Sequence, residues 1–361
     1  MDQTFRYSVI GTGMMGVEHI QNINAIADAA VVAISDPNAA SRDAGVAACD
    51  GAPAVFVDHR QLLEVETDAV VVATPNMTHI DVLRDVLATD LPVLVEKPLC
   101  TTVADCQEVV ELARTRAGLV WVGLEYRYMP PVARLIDEVR AGTPGTVHMV
   151  AIREHRFPFL TKVDNWNRFS ANTGGTLVEK CCHYFDLMTL LAGARPVRVM
   201  ASGGQSVNHL DEVHDGRPSD ILDNAYVIVE FDSGARAMRD LCMFAEATHN
   251  QEEIAVVGDA AKVEALIPEN VLRVGRRGAH WIGSVDSQPV TDPAIAHEGL
   301  HHGSSYIEHL RFIDAVRSKR EPEVTVADGL LSVAIGAAAH RSIDEGRPVE
   351  LAEVGVRRGF R

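Results

Sequence analysis

Through its first third the chain alternates short, unbroken apolar runs with stretches of helical periodicity. The runs predict strands at 7–10, 30–35, 54–57, 69–73, 92–95 and 119–122. They are Val/Ile/Leu/Ala runs without polar alternation, as in strands buried on both faces of a parallel sheet. Helical spacing between them, at 77–88 and 103–116 for example, predicts βαβ units and a doubly wound sheet. After about Glu125 the rhythm changes. A helix over 132–141 and a strand over 146–153 lead into a loop rich in Asn, Arg and aromatics over 157–172. A helix over 176–191 follows. Strands at 224–231 and 235–243 then flank the turn Asp232-Ser233-Gly234, and three more follow at 253–257, 262–266 and 271–274. Helices over 304–318 and 326–345 close the chain, with Gly346 as a C-cap. Loops are expected at 208–219 and 284–303.

This pattern predicts two domains. Residues 1–124 form an N-terminal Rossmann domain with a doubly wound parallel sheet. Residues 125–361 form an α+β domain for substrate binding and oligomerisation, an open and mainly antiparallel sheet flanked by helices.

Composition narrows the function classes. With 361 residues the chain is long enough for two domains and a sizeable core. Lys and Arg total 33 against 50 Asp and Glu, a net charge of −17, and no basic stripe appears, which argues against nucleic acid as a partner. No run of 18 apolar residues argues for a membrane span. The opening MDQTFRYSVIG reads as a first strand rather than a signal peptide, and the six cysteines have no CxxC spacing. A cytoplasmic protein with reduced thiols is expected.

The clearest chemistry is Gly11-Thr12-Gly13-Met14-Met15-Gly16, a G-x-G-x-x-G turn between the first strand and a helix. Gly11 permits the tight turn, Gly13 lets the backbone approach a pyrophosphate, and Gly16 lets helix and strand pack closely. The helix N-terminus, at Met14 and Met15, offers free N–H groups to the phosphates. Asp36 ends the second strand 20 residues after Gly16, where a carboxylate accepts from a ribose hydroxyl. It would repel a 2′-phosphate, and Arg42 could help only by reaching back, so NAD is expected over NADP.

Two further strand ends carry polar residues where parallel sheets bind ligands. One is Thr74-Pro75-Asn76 with His79; the other is Glu96-Lys97-Pro98. Thr74 and Asn76 can face a cofactor or cap the next helix. Lys97 can polarise a reacting hydroxyl or pair with Glu96 at the surface.

Glu179 and His183 are four residues apart and share a helical face. Oxidation at a carbinol carbon needs removal of the hydroxyl proton, which suits His183 with a carboxylate beside it. Thr176 and Glu179 also have the spacing of a capping box. Glu179, Cys182 and His183 could ligate zinc, but nothing of zinc-site spacing accompanies them and no metal is expected.

Taken together, the glycine turn with Asp36, Ala73-Thr74-Pro75-Asn76 with His79, Glu96-Lys97-Pro98, and the tail around Asp328-Gly329 and Arg347-Pro348-Val349 resemble the glucose–fructose oxidoreductase / inositol dehydrogenase family over nearly the whole chain. The resemblance implies that Lys97 is the catalytic lysine, contacting nicotinamide ribose and substrate hydroxyl, and that His183 is the acid/base. It implies a carboxylate four residues before that histidine, usually Asp and here Glu179; the family's Gly two residues before it is Cys181 here. Trp166 and Arg168 would border nicotinamide and sugar, and Glu125 and Arg127 would lie at the domain junction.

The expected activity is NAD-dependent oxidation of a secondary hydroxyl on a cyclic polyol or sugar, such as a cyclitol or pyranose lying between the sheet tips and the open sheet. Arg127, Trp166, Arg168, Glu179 and His183 join Lys97 as substrate contacts. Two alternatives are a redox-neutral sugar enzyme using NAD transiently and a non-enzymatic sensor of nicotinamide and sugar. The family resemblance implies a homodimer or homotetramer built through the open sheet. The His-rich run from His297 to His302 has no assigned role.

Overall fold

The computed structural model describes residues 4–356. The opening Met1–Gln3 and the two outer domain ends expected at residues 1 and 361 lie outside the described residues. Compact packing divides the chain into two units, and neither is continuous in sequence. The first holds Met1–Glu125, Lys162–Trp166 and Pro293–Val333; the second holds Tyr126–Thr161, Asn167–Asp292 and Ala334–Arg361.

The first unit is built on a six-stranded parallel sheet in the order β3-β2-β1-β4-β5-β6. Its strands are β1 (Phe5–Ile10), β2 (Ala29–Ser35), β3 (Ala54–Phe56), β4 (Ala69–Val72), β5 (Val93–Glu96) and β6 (Val120–Gly123). The chain reverses direction across the sheet between β1 and β4, the switch point where open α/β sheets bind ligands. β4, β5 and β6 are buried at every position, which explains their uninterrupted apolar sequence. The helices are α1 (Met14–Asn24), α2 (Ala39–Ala48), the single turn α3 (His59–Leu62), α4 (His79–Leu87) and α5 (Val103–Arg114).

The second unit contains α6 (Pro130–Arg140) and a nine-stranded sheet that begins with β7 (Val147–His155). Three short helices follow, α7 (Ser170–Thr173), α8 (Thr176–Glu179) and α9 (Cys182–Ala192). Then come β8 (Pro196–Gly204), a small hairpin of β9 (Val213–His214) and β10 (Arg217–Pro218), β11 (Asn224–Phe231), β12 (Arg236–Cys242), β13 (Glu252–Gly258), β14 (Ala261–Ile267), β15 (Val271–Arg276) and β16 (Asp286–Pro289). The chain continues through α10 (Ser304–Ser318), which belongs to the first unit, and α11 (Val326–Glu345), and ends in the short strand β17 (Val349–Glu350). The large sheet runs β16-β15-β14-β13-β7-β12-β11-β8-β17 and is antiparallel except for β7 against β12.

β11 shows why this sheet has one covered face. Ala225, Val227, Val229 and Phe231 are buried, whereas Tyr226 is 63% and Ile228 44% exposed. Ile228 faces Met200 on β8 and Met238 on β12, both also exposed, so the outer face carries an apolar stripe.

Three sequence expectations are corrected. The helix expected over 176–191 is two helices, broken at Lys180 and Cys181. The capping box is not formed: the Thr176 hydroxyl donates to the Leu222 carbonyl at 2.8 Å instead, and the Leu177 N–H is taken by His340 Nε2 at 3.0 Å. The loops expected at 208–219 and 284–303 contain the β9–β10 hairpin and β16.

Candidate functional site

In the first unit, β1 delivers the chain into Gly11, whose φ of +88° favours glycine. A Cβ there would lie 2.7 Å from the Ala73 carbonyl carbon, and one on Gly16 would lie 2.0 Å from the Gly11 oxygen. Both positions therefore need glycine for close packing. Gly13 differs, because nothing lies within 4 Å of the place its Cβ would take. It is the open point of the turn, directly before the first N–H groups of α1. A cleft of about 520 Å³ lies against it, lined by Thr12, Gly13, Met14, Asn38 and Ser41 among others.

Asp36 organises the rim of this turn. Its Oδ2 accepts from Thr12 N at 2.9 Å and its Oδ1 from Asn38 N at 2.8 Å. Asn38 in turn caps α2 through Ser41 N. Arg42 does reach back, but onto the carbonyls of Asp36 and Pro37, at 2.7 and 2.9 Å. Beyond β4, Thr74 accepts from the Thr78 hydroxyl. Asn76 is buried, and its amide nitrogen has no hydrogen-bond partner among the described residues. His79 is fully buried, with its ring nitrogens at the carbonyls of Thr74 (3.0 Å) and Pro98 (2.9 Å). It ties together the two loops that end β4 and β5.

Lys97 follows β5 and is half-buried. Its backbone N–H donates to Glu96 Oε2 at 3.0 Å, and Glu96 Oε1 lies 2.9 Å from His19 Nε2. His19 Nδ1 meets His309 Nε2 at 2.9 Å, and His309 Nδ1 meets the Tyr7 hydroxyl at 3.2 Å. Burial opposes ionisation of Glu96, but the hydrogen bond and charge of His19, with help from Lys97 and His301, hold its carboxyl at about 2. Burial likewise opposes a charged His19, and Glu96 outweighs it, so His19 is raised. Glu125 moves the other way. Burial and then the Glu96 charge push it up to about 8, against its hydrogen bond with Ser305. His301 Nδ1 lies 3.1 Å from Glu125 Oε1, which gives part of the His-rich run a structural position.

In the second unit His183 is 1% exposed and lies in the first turn of α9. The Tyr126 ring stacks on it, with centroids 3.8 Å apart and planes at 5°. Lys180 Nζ donates to the Tyr126 hydroxyl at 3.1 Å and pairs with Glu154 at 3.0 Å. Glu154 is fully buried and also pairs with fully buried Arg239 and with Arg156, the latter at 3.3 Å. Glu179 is also buried, at the end of α8. Arg127 is buried against Asp186 of α9, Nε to Oδ2 at 2.7 Å. Arg168 is buried, with Nε donating to Glu212 Oε2 at 2.8 Å. Trp166 belongs to the first unit although it is two residues from Arg168.

Residues 5–124 match the model of an oxidoreductase family's NAD-binding Rossmann fold, and residues 137–351 match its C-terminal alpha/beta domain. The chain belongs to the Gfo/Idh/MocA oxidoreductase family. It is 28% identical to the myo-inositol 2-dehydrogenase of Thermotoga maritima over 359 residues, covering 97% of this chain and 99% of that one. It is 28% identical to the inositol 2-dehydrogenase of Rhizobium meliloti over 97% of this chain and 100% of that one. Among solved structures, levoglucosan dehydrogenase in complex with NADH shares the fold, with a TM-score of 0.84 at 19% identity over 97% of this chain and 99% of that one.

The chain is thus an NAD-dependent oxidoreductase. The glycine turn fits that cofactor: Gly13 leaves a cradle that a side chain would fill, and Asn76 offers a buried donor nearby in sequence to the end of β4. No group of metal-ligating side chains occurs among the described residues, and no helix among them is long and apolar enough to cross a membrane.

Sequence reasoning did not single out Lys180, or Leu300 and Val163, which line the same cleft as Gly13. Lys180 had a signal in retrospect: a cation directly after Glu179, in a segment otherwise apolar, needs a buried partner.

Proposed function

We propose that the chain oxidises a secondary hydroxyl of a cyclic polyol or sugar, an inositol or a pyranose, passing hydride to NAD. The observation that carries this reading is His183: a buried imidazole, stacked on Tyr126, four residues after the buried carboxylate of Glu179. End-to-end similarity to two inositol 2-dehydrogenases supports the substrate class.

NAD, when bound, supplies the hydride acceptor. Gly11, Gly13, Met14, Met15 and Gly16 take its pyrophosphate, and Asp36 takes the adenine ribose. Thr74, Pro75, Asn76, His79 and Glu96 line or support its nicotinamide half. Lys97 donates to the substrate hydroxyl oxygen and stabilises the negative charge that develops on it. His183 accepts the hydroxyl proton, and Glu179 favours the imidazolium so formed. Arg127, Trp166 and Arg168 shape the sugar site; the ion pairs of Arg127 and Arg168 make them rigid donors. In this reading residues 1–124 serve the cofactor, and residues 125–361 serve the substrate and oligomerisation.

A homodimer or homotetramer through the large sheet belongs to the same reading, supported by the exposed stripe of Met200, Ile228 and Met238. Light scattering at micromolar concentration should give a dimer or larger; a monomer would refute it. A cytoplasmic location is supported by six cysteines that all stand as free thiols.

The chemistry is tested with a polyol deuterated at its carbinol carbon. Direct transfer gives a reduced nicotinamide carrying one deuterium. Reduced cofactor without the label would contradict it.

A further inference from the structure

Three large apolar side chains remain exposed around the glycine-turn cleft. Met14 is 38%, Val163 45% and Leu300 55% exposed. Met14 begins α1, whereas Val163 and Leu300 come from two segments of the first unit far along the chain. Apolar side chains gathered around one cleft, with polar groups on its floor, mark a ligand groove.

The segment bearing Leu300 is fixed in place. It is a tight loop closed by Gly303 N donating to the Glu298 carbonyl at 2.6 Å. Leu300 N donates to Glu18 Oε1 at 2.9 Å. Glu18 is 3% exposed on α1, and the same oxygen takes the Asn22 amide at 3.2 Å. Gly299 has a φ of +53°, and a Cβ there would lie 2.0 Å from Glu18 Oε1. The close approach of carboxylate and backbone therefore requires glycine. One residue on, His301 Nδ1 lies 3.1 Å from Glu125 Oε1. The Glu18 carboxyl thus holds Leu300 at the cleft, with Gly299 packed against the same oxygen and His301 beside Glu125.

We propose that residues 299–301 are a strap over the pyrophosphate half of the dinucleotide, latched by Glu18, which sets how slowly the cofactor leaves. Leu300 and Val163 cover the diphosphate from solvent and strengthen its hydrogen bonds to the turn. Glu18 takes both the Leu300 N–H and the Asn22 amide, so the strap is tied to α1 within the cleft that takes the diphosphate. The inference rests on the dinucleotide lying at the glycine turn and not on which polyol is oxidised.

The test uses the full chain and NADH, without substrate. Nicotinamide fluorescence gives the equilibrium affinity by titration and the dissociation rate by displacement with excess NAD. Glu18→Ala loses a hydrogen bond to a charged, buried group, so dissociation should quicken about tenfold. Leu300→Ala should quicken it about three- to tenfold through lost apolar cover. Glu18→Gln keeps an acceptor oxygen and should stay within about twofold of the parent. Dissociation within about twofold of the parent in both alanine variants would overturn the strap. Should Glu18→Ala fail to fold, the exposed Leu300 position decides alone. Failure of the parent chain to bind NADH would overturn the placement at the turn instead. Tight NADH binding without oxidation of any polyol would leave the strap standing and remove the substrate reading.

Discussion

The Tyr126 ring lies flat against the imidazole of His183, 3.8 Å between centroids and 5° from parallel. The stack fixes the plane of the side chain proposed to accept the hydroxyl proton. Tyr126 is itself fixed, because its hydroxyl accepts from Lys180 and Lys180 is paired with buried Glu154. Tyr126→Ala should therefore lower kcat about 10²-fold while leaving the affinity for NADH unchanged. Tyr126→Phe keeps the stack and should retain most of the rate. Equal losses in the two variants would show that the hydroxyl matters and the stack does not.

Lys97 and His183 carry the proposed proton and charge chemistry. Lys97→Ala and His183→Ala should each cost about 10²-fold or more in kcat. Steady-state rates at saturating polyol and NAD check this, and undiminished turnover in either variant would sink the mechanism.

Asp36 bears on cofactor choice. Its oxygens take the backbone N–H groups of Thr12 and Asn38, and in the proposed binding mode it also faces the adenine ribose. Asp36→Ser removes the like-charge conflict with a 2′-phosphate. It should shift the ratio of kcat/KM for NADP to that for NAD upward by about tenfold or more. An unchanged ratio would mean that Asp36 does not face the ribose.

Glu125 makes a prediction about stability. Burial and the neighbouring Glu96 charge raise it from its ordinary 4.5 to about 8, so the folded chain holds a proton there that the unfolded chain has released. Its contribution to stability therefore falls as pH rises from about 4.5 towards about 8. Glu125→Gln removes that fall, and melting temperatures across this range should decline less in the variant than in the parent. Glu96 acts in the opposite sense: held at about 2 against an ordinary 4.5, its contribution is present above 4.5 and is lost as pH drops towards 2.

Glu154 sits fully buried between Lys180 and Arg239. Burial opposes its charge, but Lys180, Arg239 and Arg156 hold its pKa at about 2. Glu154→Gln leaves Lys180, Arg239 and Arg156 facing a neutral amide and should cost about 3–5 kcal/mol in urea denaturation. A loss under about 1 kcal/mol would mean that the cluster relaxes or admits water.

Much of the fold was legible because its signals are local. β4 and β5 are apolar throughout since both faces are covered, and α10 and α11 run over the residues their periodicity marks. The glycine turn was readable because sterics at Gly11 and Gly16 admit no other residue. The break at Lys180 and Cys181 was not readable. Thr176 and Glu179 have helix-start spacing, and what overrides it is distant: Leu222 takes the Thr176 hydroxyl and His340 takes the Leu177 N–H. β8 was not predicted: Ala201, Ser202, Gly203 and Gly204 carry little strand propensity, and pairing with β11 holds them in the sheet. The return of Pro293–Val333 to the first unit was hidden for the same reason. It depends on long-range partners such as Glu308, which accepts from the Trp121 indole at 3.0 Å.

The most direct measurement is absorbance at the reduced-nicotinamide band after mixing the protein with NAD and, separately, inositols, aldohexoses and sugar acids, with NADP as the parallel arm. Sustained growth of the band is expected with a cyclic polyol or sugar and NAD, and much slower growth with NADP. A flat trace with every compound, from protein that demonstrably binds NAD, would contradict it and favour a redox-neutral enzyme or a sensor.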